Sequence, residues 1–322
     1  MTPGLGAERI TAVRDRVRRH LVGREHELDL LLAAVAAGRD IVLEGPPGTS
    51  KSTLLRGITA EWGIPLVFVE GNADLTPAKL VGHHNPARVL REDYSADNFV
   101  DGPLLEAMRE GGFLYIEEFN RAPEDTLNTL LTAMAEREVA VPRVGRVTAG
   151  PTFRVIATMN PYDNVGTTRL STSVHDRLCR LAVTYQDSES ERGIVALRAP
   201  LPEGDVPSEL ATALIADAVA VTRATREHPD VRQGSSVRGA IDLTLIAGEL
   251  LALRGIRDPA LGASLAEDPA RWAYANTVFD AMVVALSGRI HLDETAEATP
   301  EDVLREIWEN HFILVPATAA PG

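Results

Sequence analysis

The sequence predicts a parallel α/β sheet followed by a separate all-helical unit, and three observations predict it. Five short aliphatic or β-branched runs lie at Ile41–Leu43, Leu66–Val69, Phe113–Ile116, Arg154–Thr158 and Leu181–Val183. Continuous apolar runs of that length suit strands covered on both faces, the condition of a parallel sheet. Helical patterns fall between them, at Leu54–Trp62, Leu104–Arg109 and Pro123–Ala135, and strand alternating with helix marks an α/β core. Beyond residue 187 the pattern changes: a Pro/Gly-containing connector, Pro200–Pro207, precedes helical stretches at 209–226, 236–254, 271–286 and 300–310. The expected division is an α/β domain over residues 1–200 and a helical domain over 201–322.

Two stretches interrupt the alternation. His83–Pro103 is polar and turn-rich, and Val139–Thr152 has alternating valines around Val144-Gly145-Arg146; both predict β-hairpin insertions on the sheet. Tyr94 and Phe99 in the first are either substrate-gripping aromatics or the hairpin's own small core. The adjacent His83-His84 has no accompanying metal-ligand spacing and is expected to be a surface pair.

Composition narrows the classes. With 322 residues, 45% hydrophobic and 24% charged, the chain can bury a sizeable core. No apolar run approaches the ~20 residues that cross a bilayer, and Met1–Gly6 lacks a signal-peptide pattern. Cys179 is the only cysteine, so no internal disulfide is possible, and a cytoplasmic protein is expected. A net charge of −14 argues against a broad grip on nucleic acid. The local exception is Arg14, Arg16, Arg18 and Arg19, whose spacing fits one side of an N-terminal helix. Lys51 and Lys79 are the only lysines, so the position of Lys51 is not a product of general lysine usage.

Lys51 sits in Gly45-Pro46-Pro47-Gly48-Thr49-Ser50-Lys51-Ser52-Thr53, directly after the first strand and at the mouth of the helix that follows. Strand, glycine-rich loop and helix are the context of a phosphate-binding loop: glycines let backbone N–H groups turn onto phosphate oxygens, and the helix N-terminus adds partial positive charge. Lys51 would bridge the β- and γ-phosphates of ATP, and the Ser52 hydroxyl would ligate Mg2+. Ser50 stands where glycine is usual and must reach its conformation at a cost.

The third strand ends in Glu117-Glu118. Two carboxylates at a strand tip beside such a loop predict metal and water handling, Glu117 on the Mg2+ shell and Glu118 polarising the attacking water. The first acid is usually aspartate, and the longer arm of Glu117 favours contact through a metal-bound water. Asn160 follows the fourth strand, where its amide can orient water or touch the γ-phosphate, or can serve as a simple turn residue before Pro161. Arg177 and Arg180 are candidates for an arginine finger reaching a neighbouring subunit, with Arg177 preferred; an internal salt bridge is the alternative. Arg238 lies in the first turn of a helix capped by Ser235-Ser236. A cation there opposes the helix dipole unless an anion such as a nucleotide phosphate offsets it.

With these positions in order, the sequence resembles the MoxR branch of the AAA+ ATPases, close to the small ATPase subunit of magnesium chelatase. The resemblance runs from Val22-Gly23-Arg24-Glu25 to the helix containing Arg238. Its most specific pieces are Glu117-Glu118-Phe119-Asn120-Arg121-Ala122-Pro123 with Leu130-Leu131-Thr132-Ala133-Met134-Ala135-Glu136, then Ala157-Thr158-Met159-Asn160-Pro161 and Val237-Arg238-Gly239-Ala240. It implies a five-stranded sheet of order 5-1-4-3-2, a helical lid, hexameric rings with ATP sites between subunits, and insertions lining a ring face or pore. It also implies chaperone-like action, often with a partner carrying a von Willebrand factor A domain. Gas-vesicle and carboxylase-activating ATPases look similar. A nucleic-acid motor and a non-hydrolysing nucleotide-dependent scaffold remain alternative functions at this stage.

Overall fold

The computed structural model describes residues 7–92, 96–161, 170–201, 206–258, 261 and 268–314. It divides into two compact units, Met1–Thr184 and Tyr185–Gly322.

The first unit is built on five parallel strands: β1 (Ile41–Glu44), β2 (Leu66–Glu70), β3 (Phe113–Glu117), β4 (Arg154–Met159) and β5 (Cys179–Ala182). Across the sheet they lie in the order β2-β3-β4-β1-β5. Counted over every strand of the chain, these are the second, fifth, eighth, first and ninth, because four short insertion strands intervene. That numbering differs from the expected 5-1-4-3-2; with only the five sheet strands numbered, the two orders coincide when read from the β5 edge. The last strand begins two residues earlier than its apolar run, so Cys179 and Arg180 belong to it.

Period-two alternation assigns each strand residue to one of two helical layers. Ile41, Leu43, Phe113, Tyr115 and Ile156 pack with helices α1 (Ala7–Arg18), α2 (Glu25–Ala36) and α3 (Lys51–Trp62), through Val13, Leu28, Leu31, Leu54 and Ile58. Val42, Leu114, Ile116, Val155 and Ala157 face helices α4 (Pro103–Glu110) and α5 (Glu124–Glu136), through Leu104, Met108, Leu127 and Leu130.

The N-terminal arginines do not form a single basic face. Arg14 pairs with Asp29 of α2 and Arg16 with Glu61 of α3, straddling the buried Val13 and Val17. The second insertion is the expected hairpin, Glu138–Val141 against Gly145–Thr148. The first is not a simple one: the strands Gly82–His84 and Phe99–Asp101 are three residues each, and helix Pro86–Glu92 lies between them. Phe99 is partly buried, edge-on to His84 at 5.1 Å and packed against the core between the sheet and α4 and α5; Tyr94 lies outside the described residues. Among the described residues no cluster of three metal-ligating side chains occurs, and no helix is long and apolar enough to cross a membrane.

The second unit contains helices Ser188–Arg198, Ser208–Ala224, Val237–Arg254, Pro269–Leu286 and Pro300–Phe312. It is not wholly helical, because Val231–Gln233 pairs with His291–Leu292 in a two-stranded ladder too short to show alternation in the sequence. The division falls at 184/185 rather than 200/201. Helix Ser188–Arg198 buries Val195 and Ala199 against Val219, Val237 and Ala240, so it belongs to the second unit.

Glu191, 2% exposed, accepts from Arg226 at 2.7 Å and from Arg223 at 3.1 Å, while Arg226 also stacks on Tyr185 at 3.9 Å. Removing one member of a buried ion cluster strands the others. Glu191→Ala is expected to lower stability by about 3 kcal/mol in urea unfolding of the second unit; a loss below about 1 kcal/mol would mean that solvent screens the cluster.

Candidate functional site

The loop Gly45–Ser50 leaves the C-terminal end of β1 and turns into α3. Its start is tied to the neighbouring strand, since Gly45 N–H donates to the Met159 carbonyl at 3.1 Å. Gly45 can have no side chain, because a Cβ there would collide with the Val183 carbonyl. Gly48 (φ 74°) and Ser50 (φ 65°) are both left-handed, the backbone pattern that folds successive N–H groups into an anion-receiving nest. Within this loop Ser50 is therefore the one L-residue forced into a conformation that glycine adopts freely.

Lys51 opens α3 and curls over the loop, donating to the Gly45 and Pro46 carbonyls at 2.9 and 2.7 Å and contacting Thr49 Oγ1 at 3.2 Å. Thr49 is buried and bonds Pro46 O at 2.9 Å, bracing the turn. Pro47 and Thr53 are exposed.

One residue further on, Ser52 meets the acid pair. Its hydroxyl donates to Glu117 Oε1 at 2.8 Å and lies 2.8 Å from the Tyr115 hydroxyl. Strand parity explains the meeting: Phe113, Tyr115 and Glu117 share the face that carries α3. A serine hydroxyl beside a carboxylate is an all-oxygen donor pair suited to a hard cation such as Mg2+, which takes one or two protein ligands and completes its shell with phosphates and water. Tyr115 is fully buried, and burial raises its phenol above the ordinary tyrosine value, so it remains a neutral donor.

Glu118 begins the turn after β3 in the left-handed region (φ 53°). Its carboxylate pairs with Arg121 at 3.0 Å, both side chains being partly exposed. Gly71, just beyond β2, receives this turn: it donates to the Glu117 carbonyl at 2.7 Å, and a Cβ there would strike the Glu118 backbone. Asn160 follows β4, the strand between β1 and β3, so it emerges between the phosphate loop and the acids. Asn120 Nδ2 donates to the Asn160 carbonyl at 3.3 Å and ties the two turns together.

The two arginines separate. Arg177 ends the short helix Thr172–Arg177, is exposed, and donates to the Ser173 carbonyl of its own helix at 3.1 Å. Arg180 lies within β5 and pairs with Glu44 of β1, its side chain remaining exposed. Arg238 is exposed in the first turn of helix Val237–Arg254, where its N–H donates to the capping Ser236 hydroxyl at 3.4 Å.

Lys51, Ser52, Glu117, Glu118 and Asn160 thus gather at one edge of the sheet. Tyr115, Thr158 and Gly71 belong to the same edge, although sequence reasoning passed over them. Tyr115 had a signal, since it shares strand parity with Glu117.

Several known proteins are similar to this chain. A family model described as AAA domain (dynein-related subfamily) matches residues 40–178. The gas vesicle ATPase GvpN of Haloferax mediterranei is 30% identical over 262 residues, covering 76% of this chain and 69% of that protein. GvpN2 of Halobacterium salinarum is 29% identical over 313 residues, covering 92% and 78%. The denitrification regulatory protein NirQ of Pseudomonas aeruginosa is 28% identical over 259 residues, covering 79% and 94%. In fold, a mutant RuvB of Thermotoga maritima matches with a TM-score of 0.50 at 19% identity, over 82% of this chain and 71% of that one.

Replacing Ser50 by glycine should relieve the left-handed strain and stabilise the first unit by about 0.5–1 kcal/mol in chemical denaturation. Unchanged or lower stability would show that the Ser50 side chain contributes more than its backbone costs.

Proposed function

This chain belongs to the MoxR-type AAA+ ATPases, and on that premise we propose that it hydrolyses ATP with Mg2+ to remodel or activate a protein partner. The observation that carries the reading is the 2.8 Å bond between Ser52 and Glu117 beneath the Lys51 loop. It joins a phosphate cradle to a cation-binding pair in one place.

The roles follow from position. The backbone N–H groups of Gly48, Thr49 and Ser50 and the Lys51 ammonium hold the β- and γ-phosphates, the ammonium giving up the Gly45 and Pro46 carbonyls that it now bonds. Ser52 and Glu117 hold the cation. Mg2+ bound there supplies charge neutralisation for the departing phosphate. Glu118 accepts the proton of the attacking water, which requires exchanging its Arg121 partner for that water. Asn160 fixes the water or the γ-phosphate from the strand between. Arg177, exposed and off the sheet, serves a neighbouring subunit's γ-phosphate, and Arg238 offers the helical unit's phosphate contact, as in a lid.

Assembly into rings, six-membered in this reading, places an Arg177 at each shared site. A protein rather than nucleic-acid target fits the net charge of −14, and the relatives' names concern gas vesicles and a denitrification regulator. A partner with a von Willebrand factor A domain is the preferred kind.

Glu118→Gln should lower phosphate release about 10²–10⁴-fold while ATP binding persists; turnover that survives would reject Glu118 as base. Failure of the assembled wild type to release phosphate would instead support a nucleotide-dependent scaffold, and stimulation by nucleic acid would support a motor of that class. Arg177→Ala should cost about 10³–10⁵-fold in rate with ATP binding retained. Mixing Arg177→Ala chains with Glu118→Gln chains should recover activity, because some interfaces then combine an intact acid pair with an intact arginine. No recovery would rule out action across subunits.

A further inference from the structure

Tyr115 lies below the Ser52–Glu117 pair, fully buried, its ring packed on Phe68 at 5.6 Å. Donor bookkeeping gives its hydroxyl a definite direction. The Glu117 carboxylate can only accept, so the Ser52 hydroxyl donates to it, and that consumes the single proton Ser52 has. In the 2.8 Å contact between Ser52 and Tyr115 the phenol must then be the donor. Thr158 of β4, itself buried, lies beside the phenol. The result is a directed chain from Tyr115 to Ser52 to Glu117.

This chain determines what Ser52 can present to a ligand. One lone pair of its oxygen takes the Tyr115 proton, its own proton is directed away onto Glu117, and the remaining lone pair is available to a cation. Without the phenol, only the Glu117 carboxylate holds the Ser52 hydroxyl, and the lone pair that took the Tyr115 proton loses its donor. Packing against Phe68 uses only the ring; the hydroxyl serves the polar atoms beside it.

We propose that Tyr115 is a positioning residue for the divalent-cation site: from within the core, its phenol sets the rotamer of Ser52 so that Ser52 and Glu117 together receive Mg2+. The role rests on the Mg2+–ATP reading given above. It supplies that site with a support that has no counterpart in the phosphate loop itself. It also accommodates glutamate at position 117, since the phenol braces the longer arm alongside Ser52.

The test is equilibrium binding of a fluorescent ATP analogue, titrated with Mg2+ and repeated in EDTA, for the wild type, Tyr115→Phe and Thr158→Val. Phenylalanine keeps the ring and removes only the donor. The Mg2+ concentration at half-saturation should rise about 3- to 10-fold in Tyr115→Phe, the range expected for one lost hydrogen bond. Affinity in EDTA should not change. Thr158→Val, which removes the buried hydroxyl beside the phenol, should shift the Mg2+ requirement in the same direction and less. It carries the test should Tyr115→Phe fold poorly. An unaltered Mg2+ requirement in both variants would overturn the proposal. So would an equal loss of affinity with and without Mg2+, which is the signature of packing alone. Wild-type binding indifferent to Mg2+ would overturn the underlying metal–nucleotide reading, and with it this role.

Discussion

The hydrogen bond between Ser52 and Glu117 depends on a strand of fixed parity. Ser52 opens a helix that follows β1, while Glu117 ends β3, and β4 lies between them. Their side chains can meet only if the odd-numbered residues of β3 face α3. The same parity buries Phe113 and Tyr115 in that layer and sends Leu114 and Ile116 to the other. A shift by one residue would exchange the faces, removing the carboxylate from the loop and exposing the wrong set of apolar side chains. Core packing and site assembly are one constraint in this strand, so the apolar residues that stabilise the sheet also aim the acid.

Two residues of this edge hold left-handed backbone without being glycine, Ser50 before the helix and Glu118 after the strand. Such conformations cost of order 1–3 kcal/mol each and persist where the surroundings enforce them. For Ser50 the enforcement is the junction of loop and helix. For Glu118 it is the fit of the Glu117–Glu118 backbone against Gly71, which has no Cβ to oppose it. The turn carries the carboxylate out of the strand to where Arg121 pairs with it, so the side chain assigned to water is held by a local cation rather than buried in the sheet. Glu117, by contrast, is held by Ser52 next to Tyr115. Adjacent acids thus have different partners, Ser52 for Glu117 and Arg121 for Glu118.

Most of this edge was legible in the sequence because its signals are local. The phosphate loop, the apolar run ending in two acids, and Asn160 after the fourth run each lie within a few residues, and the structure brings them to one edge. The Ser236 cap was legible for the same reason. What was not legible depended on partners distant in the chain. Arg180 stood as a second candidate behind Arg177, and its pairing with Glu44 depends on β5 lying against β1. Helix Ser188–Arg198 looked like part of the sheet domain because its apolar partners, Val219, Val237 and Ala240, lie further along. The helix in the first insertion and the ladder in the second unit are too short for periodicity to declare them. The hydroxyl chain from Tyr115 through Ser52 to Glu117 joins β3 to α3, and its sole sequence trace is the parity that Tyr115 shares with Glu117.

The most direct measurement is electron paramagnetic resonance of Mn2+, standing in for Mg2+, titrated into the chain with and without ADP. If Ser52 and Glu117 form half of a site that nucleotide phosphates complete, one Mn2+ should bind tightly per chain only when nucleotide is present, and Ser52→Ala and Glu117→Ala should each abolish it. Tight Mn2+ binding without nucleotide, or binding that survives both substitutions, would place the cation elsewhere and contradict the role given to that pair.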